Sequence, residues 1–200
     1  MVPLIKQIVV MGGAFDVPGN TTDKAETNWW LDPLAADEVL KLPAPVVVSP
    51  LDLSNTTPLT DEVYRQIAHP PRPTAVTDLY REIVGAGLDG EGGFEDDPGY
   101  TQPLWDQLAL AYAVDPGFAV GRRVVWPAVV AKTGADDGAV SYSASPVRGR
   151  RPVTVLTRFD NDQFYAWYVD LMTRPVPVAG QGRLRGAPGK PLGWAVQPHN

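Results

Sequence analysis

The sequence predicts a single α/β domain in which some strands form a parallel sheet. Three short runs rich in β-branched and aliphatic residues indicate strands, at residues 5–10, 46–48 and 153–156. Segments with helical spacing of apolar residues and with helix-start signals separate these runs. Strands that alternate with helices along a chain typically build a sheet with helices on its faces, so this order favours the α/β class.

The elements follow in order from the N-terminus. The strand over residues 5–10 is expected to be buried and to end at Met11-Gly12-Gly13, and a loop is expected over residues 14–30. Asp32 and Pro33 have the residue types of an N-cap and a first helical position, and the helix that they begin ends before Pro43. Further helices are predicted over residues 60–68, 74–84, 103–113 and 161–173, further strands over 124–131 and 139–143, and a long Gly- and acid-rich loop over 85–102.

Composition excludes several classes of protein. The 200 residues include 23 acidic and 17 basic side chains, no cysteine and two histidines, His69 and His199. Disulfides and a cysteine nucleophile are therefore excluded, and a Ser-His-Asp triad or a multi-histidine metal site is not expected. The net charge of −6 argues against a nucleic-acid partner. No apolar run approaches the roughly 20 residues of a membrane span, and no export signal is visible, so a cytoplasmic protein without a membrane partner is expected.

A first candidate site follows the first strand. The glycine pair places backbone at the carboxyl edge of the sheet, where α/β proteins bind ligands, and Asn20, Glu26 and Asn28 come next. In an extended segment, Glu26 and Asn28 would face the same way. A carboxylate with two carboxamides suits a ligand with many hydroxyl groups. An ordinary surface turn is the alternative, and the spacing alone favours it.

Two further segments carry acids. Trp105 and Asp106 stand at the start of the helix predicted over 103–113. In one interpretation, Trp105 covers the core and Asp106 compensates the helix dipole. In the other, Trp105 offers a stacking face for a ligand and Asp106 binds a metal ion. Glu95-Asp96-Asp97 lacks the spacing of an EF-hand calcium loop, so a solvated loop is the preferred interpretation.

Several motifs together resemble the inosine-uridine nucleoside hydrolase family. I-V-V-M-G-G-A-F (8–15), P-G-N-T-T (18–22), A-E-T-N (25–28) and D-P-L-A-A (32–36) occur in the order and near the spacing of that family. L-D-L-S (51–54) and W-D-Q-L-A-L-A-Y (105–112) resemble its later segments. The resemblance covers roughly residues 4–170 and implies an open, mostly parallel sheet with flanking helices.

The resemblance implies hydrolysis of the N-glycosidic bond of ribonucleosides. In the family, a calcium-activated water attacks the anomeric carbon of the ribose. Met11, Asn20, Glu26 and Asn28 match ribose-holding positions, and Asp106 matches a late calcium ligand. Trp105 stands where many members carry a histidine that protonates the leaving base, so stacking on a purine base is expected instead. The family commonly forms homodimers or homotetramers.

The aspartate motif of the family, D-x-D-x-x-x-D-D, has no counterpart in the chain. Residues 1–174 are therefore expected to be the C-terminal portion of a nucleoside hydrolase domain whose N-terminal half is missing, and residues 175–200 a loose tail. Asp106 alone cannot supply the six to eight oxygen ligands that calcium takes. Three interpretations stay open: a hydrolase whose other half is provided elsewhere, a degenerate non-catalytic member, and a truncated gene product.

Overall fold

A five-stranded mixed sheet organises the protein. The computed structural model describes residues 4–87, 92–132, 134 and 136–175. The sheet order is β1-β2-β7-β5-β6, and a separate pair is formed by β3 and β4. The strands are β1 (Ile8–Met11), β2 (Val46–Ser49), β3 (Pro58–Leu59), β4 (Gln102–Pro103), β5 (Ala119–Val129), β6 (Val140–Ser143) and β7 (Val153–Phe159).

Seven α-helices connect or follow the strands. They are α1 (Thr27–Leu31), α2 (Pro33–Leu40), α3 (Leu51–Ser54), α4 (Asp61–Ala68), α5 (Ala75–Gly85), α6 (Asp106–Val114) and α7 (Asn161–Thr173), and this count refers to the described residues. A 3-10 turn over Pro116–Phe118 precedes β5. The prediction of an α/β fold is confirmed.

Two of the four strand pairings in the sheet are parallel and two are antiparallel. β1 pairs with β2 from Ile8 beside Val46 to Met11 beside Ser49, and β2 pairs with β7 in the same direction. β5 runs antiparallel to β7, and β6 runs antiparallel to β5. Consequently β1, β2 and β7 end at the same edge of the sheet, which is the edge where ligands bind in α/β proteins.

The prediction of a buried first strand is wrong in part. All four residues of β1 are half-buried, whereas all four of β2 are buried. β1 is the edge strand of the sheet in the described part of the chain, and β2 is its one neighbour there. A strand with a neighbour on a single side keeps one row of backbone groups accessible.

Several helix starts agree with the capping signals. The side chains of Asp32, Thr60, Thr74 and Asp160 each accept a hydrogen bond from a backbone N–H in the first turn of α2, α4, α5 and α7, respectively. Such a bond satisfies one of the donors that a helix start leaves unpaired.

Several boundaries differ from the prediction, and three of these differences have a clear structural reason. Thr27–Leu31 forms a helix within the segment expected to be a loop, capped by Glu26. The helix expected from residue 103 begins at Asp106, because Gln102–Pro103 pairs with Pro58–Leu59 as β4. β5 begins at Ala119 rather than at residue 124, since it pairs with β7 from Ala119 onward.

Apolar side chains are buried on both faces of the sheet. One cluster includes Val47, Leu108, Leu156 and Phe164, and the other includes Trp29, Val48, Val125 and Val155. In the described residues, no helix is long and apolar enough to cross a membrane. The predicted loose tail lies almost wholly outside the described residues.

Candidate functional site

The glycine pair after β1 is required by a buried tryptophan. Gly12 and Gly13 have φ angles of 152° and 80°, which L side chains rarely adopt. A Cβ atom on Gly13 would lie 2.8 Å from the ring of Trp29, and one on Gly12 would lie 2.2 Å from its Nε1 atom. The backbone after β1 can therefore lie directly against Trp29 only because both residues lack a side chain.

Glu26 is buried against this backbone. Only 2% of its surface is exposed. Its Oε2 atom accepts hydrogen bonds from the N–H groups of Gly13 (3.0 Å) and Trp29 (3.2 Å), and its Oε1 atom accepts one from the N–H of Asn28 (2.8 Å). A carboxylate offers about four acceptor positions. Three are occupied, so one position on Oε1 has no donor among the described residues.

Asn28 and Met11 lie together beside Glu26. The Nδ2 atom of Asn28 donates to the Sδ atom of Met11 at 3.1 Å. Among the described residues, no group hydrogen-bonds the Oδ1 atom of Asn28, and the residue is exposed. The expectation of an extended segment is wrong, because Glu26 caps α1 and Asn28 belongs to its first turn. The two residues are nevertheless brought together by the cap itself.

Asn20 is fixed to the same end of α1. Its Oδ1 atom accepts from the backbone N–H of Thr27 at 2.9 Å and from the Thr27 hydroxyl at 3.1 Å. Because both bonds use the oxygen, the amide nitrogen of Asn20 stays available as a donor. We call residues 12–28, which contain Asn20, Glu26 and Asn28, the sugar loop, after the ribose-holding role that the resemblance implies for these residues.

Asp52 anchors the start of the sugar loop and was not singled out as a site residue from the sequence. Its Oδ2 atom accepts from the N–H of Phe15 at 2.9 Å, and its Oδ1 atom accepts from the N–H of Asp16 at 2.8 Å. Asp52 lies in the first turn of α3, directly after β2. The sequence feature that could have identified Asp52 is the position of an acidic residue directly after a predicted buried strand.

A small cavity opens beside Met11 and Asn28. Its volume is about 230 Å³, and its other walls come from β1, Trp29 and α2, with Asp32 as the one charged residue. Pockets that enclose drug-sized ligands span about 300–1,000 Å³. The cavity is therefore smaller than a pocket that encloses a drug-sized ligand.

Trp105 and Asp106 lie at the start of α6, which packs against β1. Trp105 is half-buried, and Asp106 is exposed in the first helical turn. β4 precedes these two residues and pairs with β3, which follows β2 and α3 in the chain. This pairing fixes where α6 begins. Within the described ranges, no hydrogen bond or ring contact joins either side chain to the sugar loop.

Calcium does not fit the residues that the structure describes. No group of three or more histidine or acidic side chains that could hold a metal ion occurs among them. Asp106 contributes at most two oxygens, whereas calcium takes six to eight. The described residues of this chain do not build a calcium site by themselves.

A larger groove lies elsewhere, between α4 and α7. It measures about 1140 Å³, and its lining includes Arg65, His69 and Glu95 but none of the predicted site residues. His69 bonds Glu95 at 2.9 Å, and the Tyr64 hydroxyl donates to the same carboxylate at 2.6 Å. These three side chains connect α4 to an exposed acidic loop, consistent with the solvated loop expected at Glu95-Asp96-Asp97.

The chain is similar to a known protein family and to curated members of it. The model described as "Inosine-uridine preferring nucleoside hydrolase" matches residues 1–166. Pyrimidine-specific ribonucleoside hydrolase RihA of Shewanella woodyi is 31% identical over 173 residues, which are 85% of this chain and 52% of that protein. Pyrimidine-specific ribonucleoside hydrolase RihB of Escherichia coli is 33% identical over 116 residues, which are 58% of this chain and 36% of that protein.

Solved structures give the same fold. A plant nucleoside hydrolase, PpNRh1, superposes with a TM-score of 0.73 at 22% identity, over 84% of this chain and 54% of that chain. An inosine-guanosine nucleoside hydrolase gives 0.72 at 21% identity, over 84% and 52%. The chain thus spans about half the length, or less, of the proteins that it matches.

Proposed function

Because the chain belongs to the inosine-uridine preferring nucleoside hydrolase family, we propose that it takes part in hydrolysis of the N-glycosidic bond of ribonucleosides, giving ribose and the free base. Its share of the site is the sugar loop. The observation that carries the proposal is Glu26, a carboxylate buried under Gly13 with one acceptor position left open beside Asn28.

The sugar loop supplies complementary groups for ribose hydroxyls. The open position on Glu26 Oε1 and the Oδ1 atom of Asn28 accept hydrogen bonds, and the Nδ2 atom of Asn20 donates. Backbone N–H groups hold the Glu26 and Asn20 side chains, and the Met11 sulfur holds that of Asn28, before any ligand arrives. Binding therefore costs little side-chain ordering.

Glu26 also contributes to the reaction through its charge. Glycosidic bond cleavage passes through an oxocarbenium-like state in which positive charge develops on the sugar. A preorganised carboxylate beside that charge stabilises the transition state more than the neutral sugar, and this difference accelerates the reaction. The described residues account for sugar recognition and charge stabilisation but not for activation of the attacking water. We therefore propose that this chain alone binds ribonucleosides without turning them over.

Trp105 is proposed as the base contact. Its half-buried indole offers an apolar face at the start of α6, and such a face stacks best on the larger purine ring system. The names of the RihA and RihB relatives point to pyrimidines instead. Calorimetric titration with inosine and uridine separates the two: tighter binding of inosine, lost in Trp105→Ala, supports the purine preference, and equal or tighter binding of uridine contradicts it.

The main test combines binding with product analysis. We expect saturable binding of inosine by the purified chain, weaker binding of 2′-deoxyinosine, and no release of hypoxanthine in the presence of calcium. Loss of inosine binding in Asn28→Ala, but not in the exposed control Asn55→Ala, assigns the binding to the sugar loop. Absence of any ribonucleoside binding would contradict the proposal, and calcium-dependent release of base would contradict the proposed inactivity of the chain alone.

A degenerate, purely sugar-binding family member is the second candidate, favoured by the lack of a metal-binding group among the described residues. A positively charged cyclic amine with the shape of ribose tests this alternative. A site built for hydrolysis binds such a transition-state mimic more tightly than ribose. A site that has kept only sugar recognition binds the two equally.

A further inference from the structure

The hairpin formed by β5 and β6 contacts the sugar loop near its start. The Tyr142 hydroxyl donates to Asp16 Oδ1 at 2.5 Å, and the Arg123 guanidinium pairs with Asp16 Oδ2 at 2.6 Å. The same guanidinium lies 4.7 Å from the ring centre of Tyr142 and 5.9 Å from that of Phe15. Charge pairing and stacking thus fix Asp16 and Phe15 against the hairpin.

The hairpin also contacts the loop near its end. Ala139 forms an antiparallel bridge with Ala25, directly before Glu26. Lys24 pairs with Asp136 at 2.6 Å. Gly138 has a φ of 80°, and a Cβ atom there would lie 2.6 Å from the Cα atom of Trp30, so its backbone lies against the backbone of α1.

Between these two contacts the loop is held by bonds within itself and to α1: the N–H groups of Thr21 and Thr22 donate to the carbonyl of Ala25, and Asn20 accepts from Thr27. Its outer surface is solvated. Asp16, Pro18 and Asn20 are exposed, as are Asp23 and Lys24. A loop whose middle is solvated takes its position from the rigid elements that hold its ends. From these contacts we infer that the β5–β6 hairpin positions the sugar loop for ligand binding, with Arg123 as a positioning residue that holds the Asp16 side chain while Asp52 holds the backbone there. This inference rests on the proposed function only for the identity of the ligand.

Arginine is suited to this role for a geometric reason. One terminal nitrogen pairs with Asp16, the other donates to the Tyr142 hydroxyl at 3.2 Å, and the planar group stacks on Tyr142. A lysine would keep the charge but lose the fork and the stacking. The charge-conserving Arg123→Lys variant should therefore restore only part of what Arg123→Gln loses.

The test compares Arg123→Gln with Arg122→Gln. Arg122 directly precedes Arg123 in β5, is exposed, and hydrogen-bonds only the carbonyl of Ala119 among the residues described. It therefore controls for loss of one charge from the strand. Hydrogen exchange of the amides of Gly13, Phe15 and Asp16 reports on the loop, and exchange in β7 reports on the sheet. Ribose affinity is measured by NMR titration.

We expect Arg123→Gln to speed exchange of the loop amides about tenfold and to weaken ribose binding about tenfold, since a charge-assisted contact is lost. Exchange in β7 should match that of Arg122→Gln. Tyr142→Phe removes only the hydroxyl that donates to Asp16. It should also speed loop exchange and weaken ribose binding, but less than Arg123→Gln does.

Three results would contradict the positioning role or separate it from the proposed function. Equal loop exchange and equal ribose affinity in Arg123→Gln and Arg122→Gln would overturn the positioning role. Faster exchange in β7 to the same extent as in the loop would also overturn it, because Arg123 would then support the whole sheet. Faster loop exchange in Arg123→Gln, with no ribose binding by the unmodified chain, would support positioning and contradict the proposed function.

Discussion

Glu26 is buried, and three backbone N–H groups surround its carboxylate. Its residue type and its place after the glycine pair could be read from the sequence. Its environment could not, because the bond from Gly13 spans thirteen residues and depends on how the chain turns back over Trp29. For the sugar loop, the sequence pattern therefore predicted the candidate side chains but not the hydrogen bonds that hold them.

The bonds to Glu26 predict a stability cost for Glu26→Gln. A glutamine places an NH₂ donor where the carboxylate accepts from backbone donors, so at least one buried N–H loses its partner. Such a loss costs about 1–3 kcal/mol of unfolding free energy, measured by urea denaturation. Glu38→Gln is the control, since Glu38 is an exposed residue of α2 that pairs with Lys41. Equal stability of the two variants would contradict the buried network.

Asp16 predicts a dependence on pH. The hydrogen bond from Tyr142, together with the Arg123 guanidinium, holds the pKa of Asp16 below its usual range. The stabilisation from a lowered carboxyl pKa is present above the unfolded-state pKa of about 3.9 and is lost as pH falls through the folded-state pKa. Asp16→Asn should therefore be less stable than the unmodified chain at pH 7, and the difference should shrink below about pH 4.

Denaturation at a series of pH values measures this difference. Asp23→Asn is the matched control, because Asp23 is an exposed aspartate of the same loop. A difference for Asp16→Asn that stays constant from pH 7 to pH 3 would refute the interpretation of the Asp16 contacts.

Among the elements, helix starts were the most predictable features. Asp32, Thr60, Thr74 and Asp160 signal their helices through local side-chain chemistry. The start of β5 depends on antiparallel pairing with β7, thirty or more residues away, which local patterns do not show. α1 was missed because it has only five residues, and its cap is a glutamate rather than one of the usual short polar residues.

The connection from β1 to the sugar loop predicts a specific steric effect. Gly13 and Gly149 have φ angles of 80° and 78°, but a Cβ atom would meet Trp29 at Gly13 and nothing within 4 Å at Gly149. Alanine in the left-handed region costs about 1–2 kcal/mol at either site. The clash with Trp29 adds about 1–3 kcal/mol at Gly13, so Gly13→Ala should be clearly less stable than Gly149→Ala in urea denaturation. Similar stabilities would show that Trp29 does not restrict the turn.

For the whole molecule, the edge strand β1 and the sugar loop form one open side of the described fold. The fold class and the family could be predicted from the sequence because the glycine pair, the sugar loop and the α2 cap lie within thirty residues of each other. The arrangement of the β5–β6 hairpin against the loop could not, since it depends on contacts between Asp16 and residues more than one hundred positions later.

The described fold predicts that this chain does not bind calcium with the affinity of regulatory protein sites. With no three-ligand group among the described residues, we expect no saturable calcium binding with a dissociation constant below about 10⁻⁵ M. Calorimetric titration of the metal-free chain measures this. Tight binding that disappears in Asp106→Ala would show that the chain holds its own calcium site.

The most direct test of the central claim is an NMR titration of the chain with ribose. If the sugar loop is a ribose site, the amides of Met11, Gly13 and Asn28 shift saturably, Asn28→Ala abolishes the shifts, and Asn55→Ala preserves them. Unchanged spectra at saturating ribose, or shifts confined to the groove between α4 and α7, would contradict the claim.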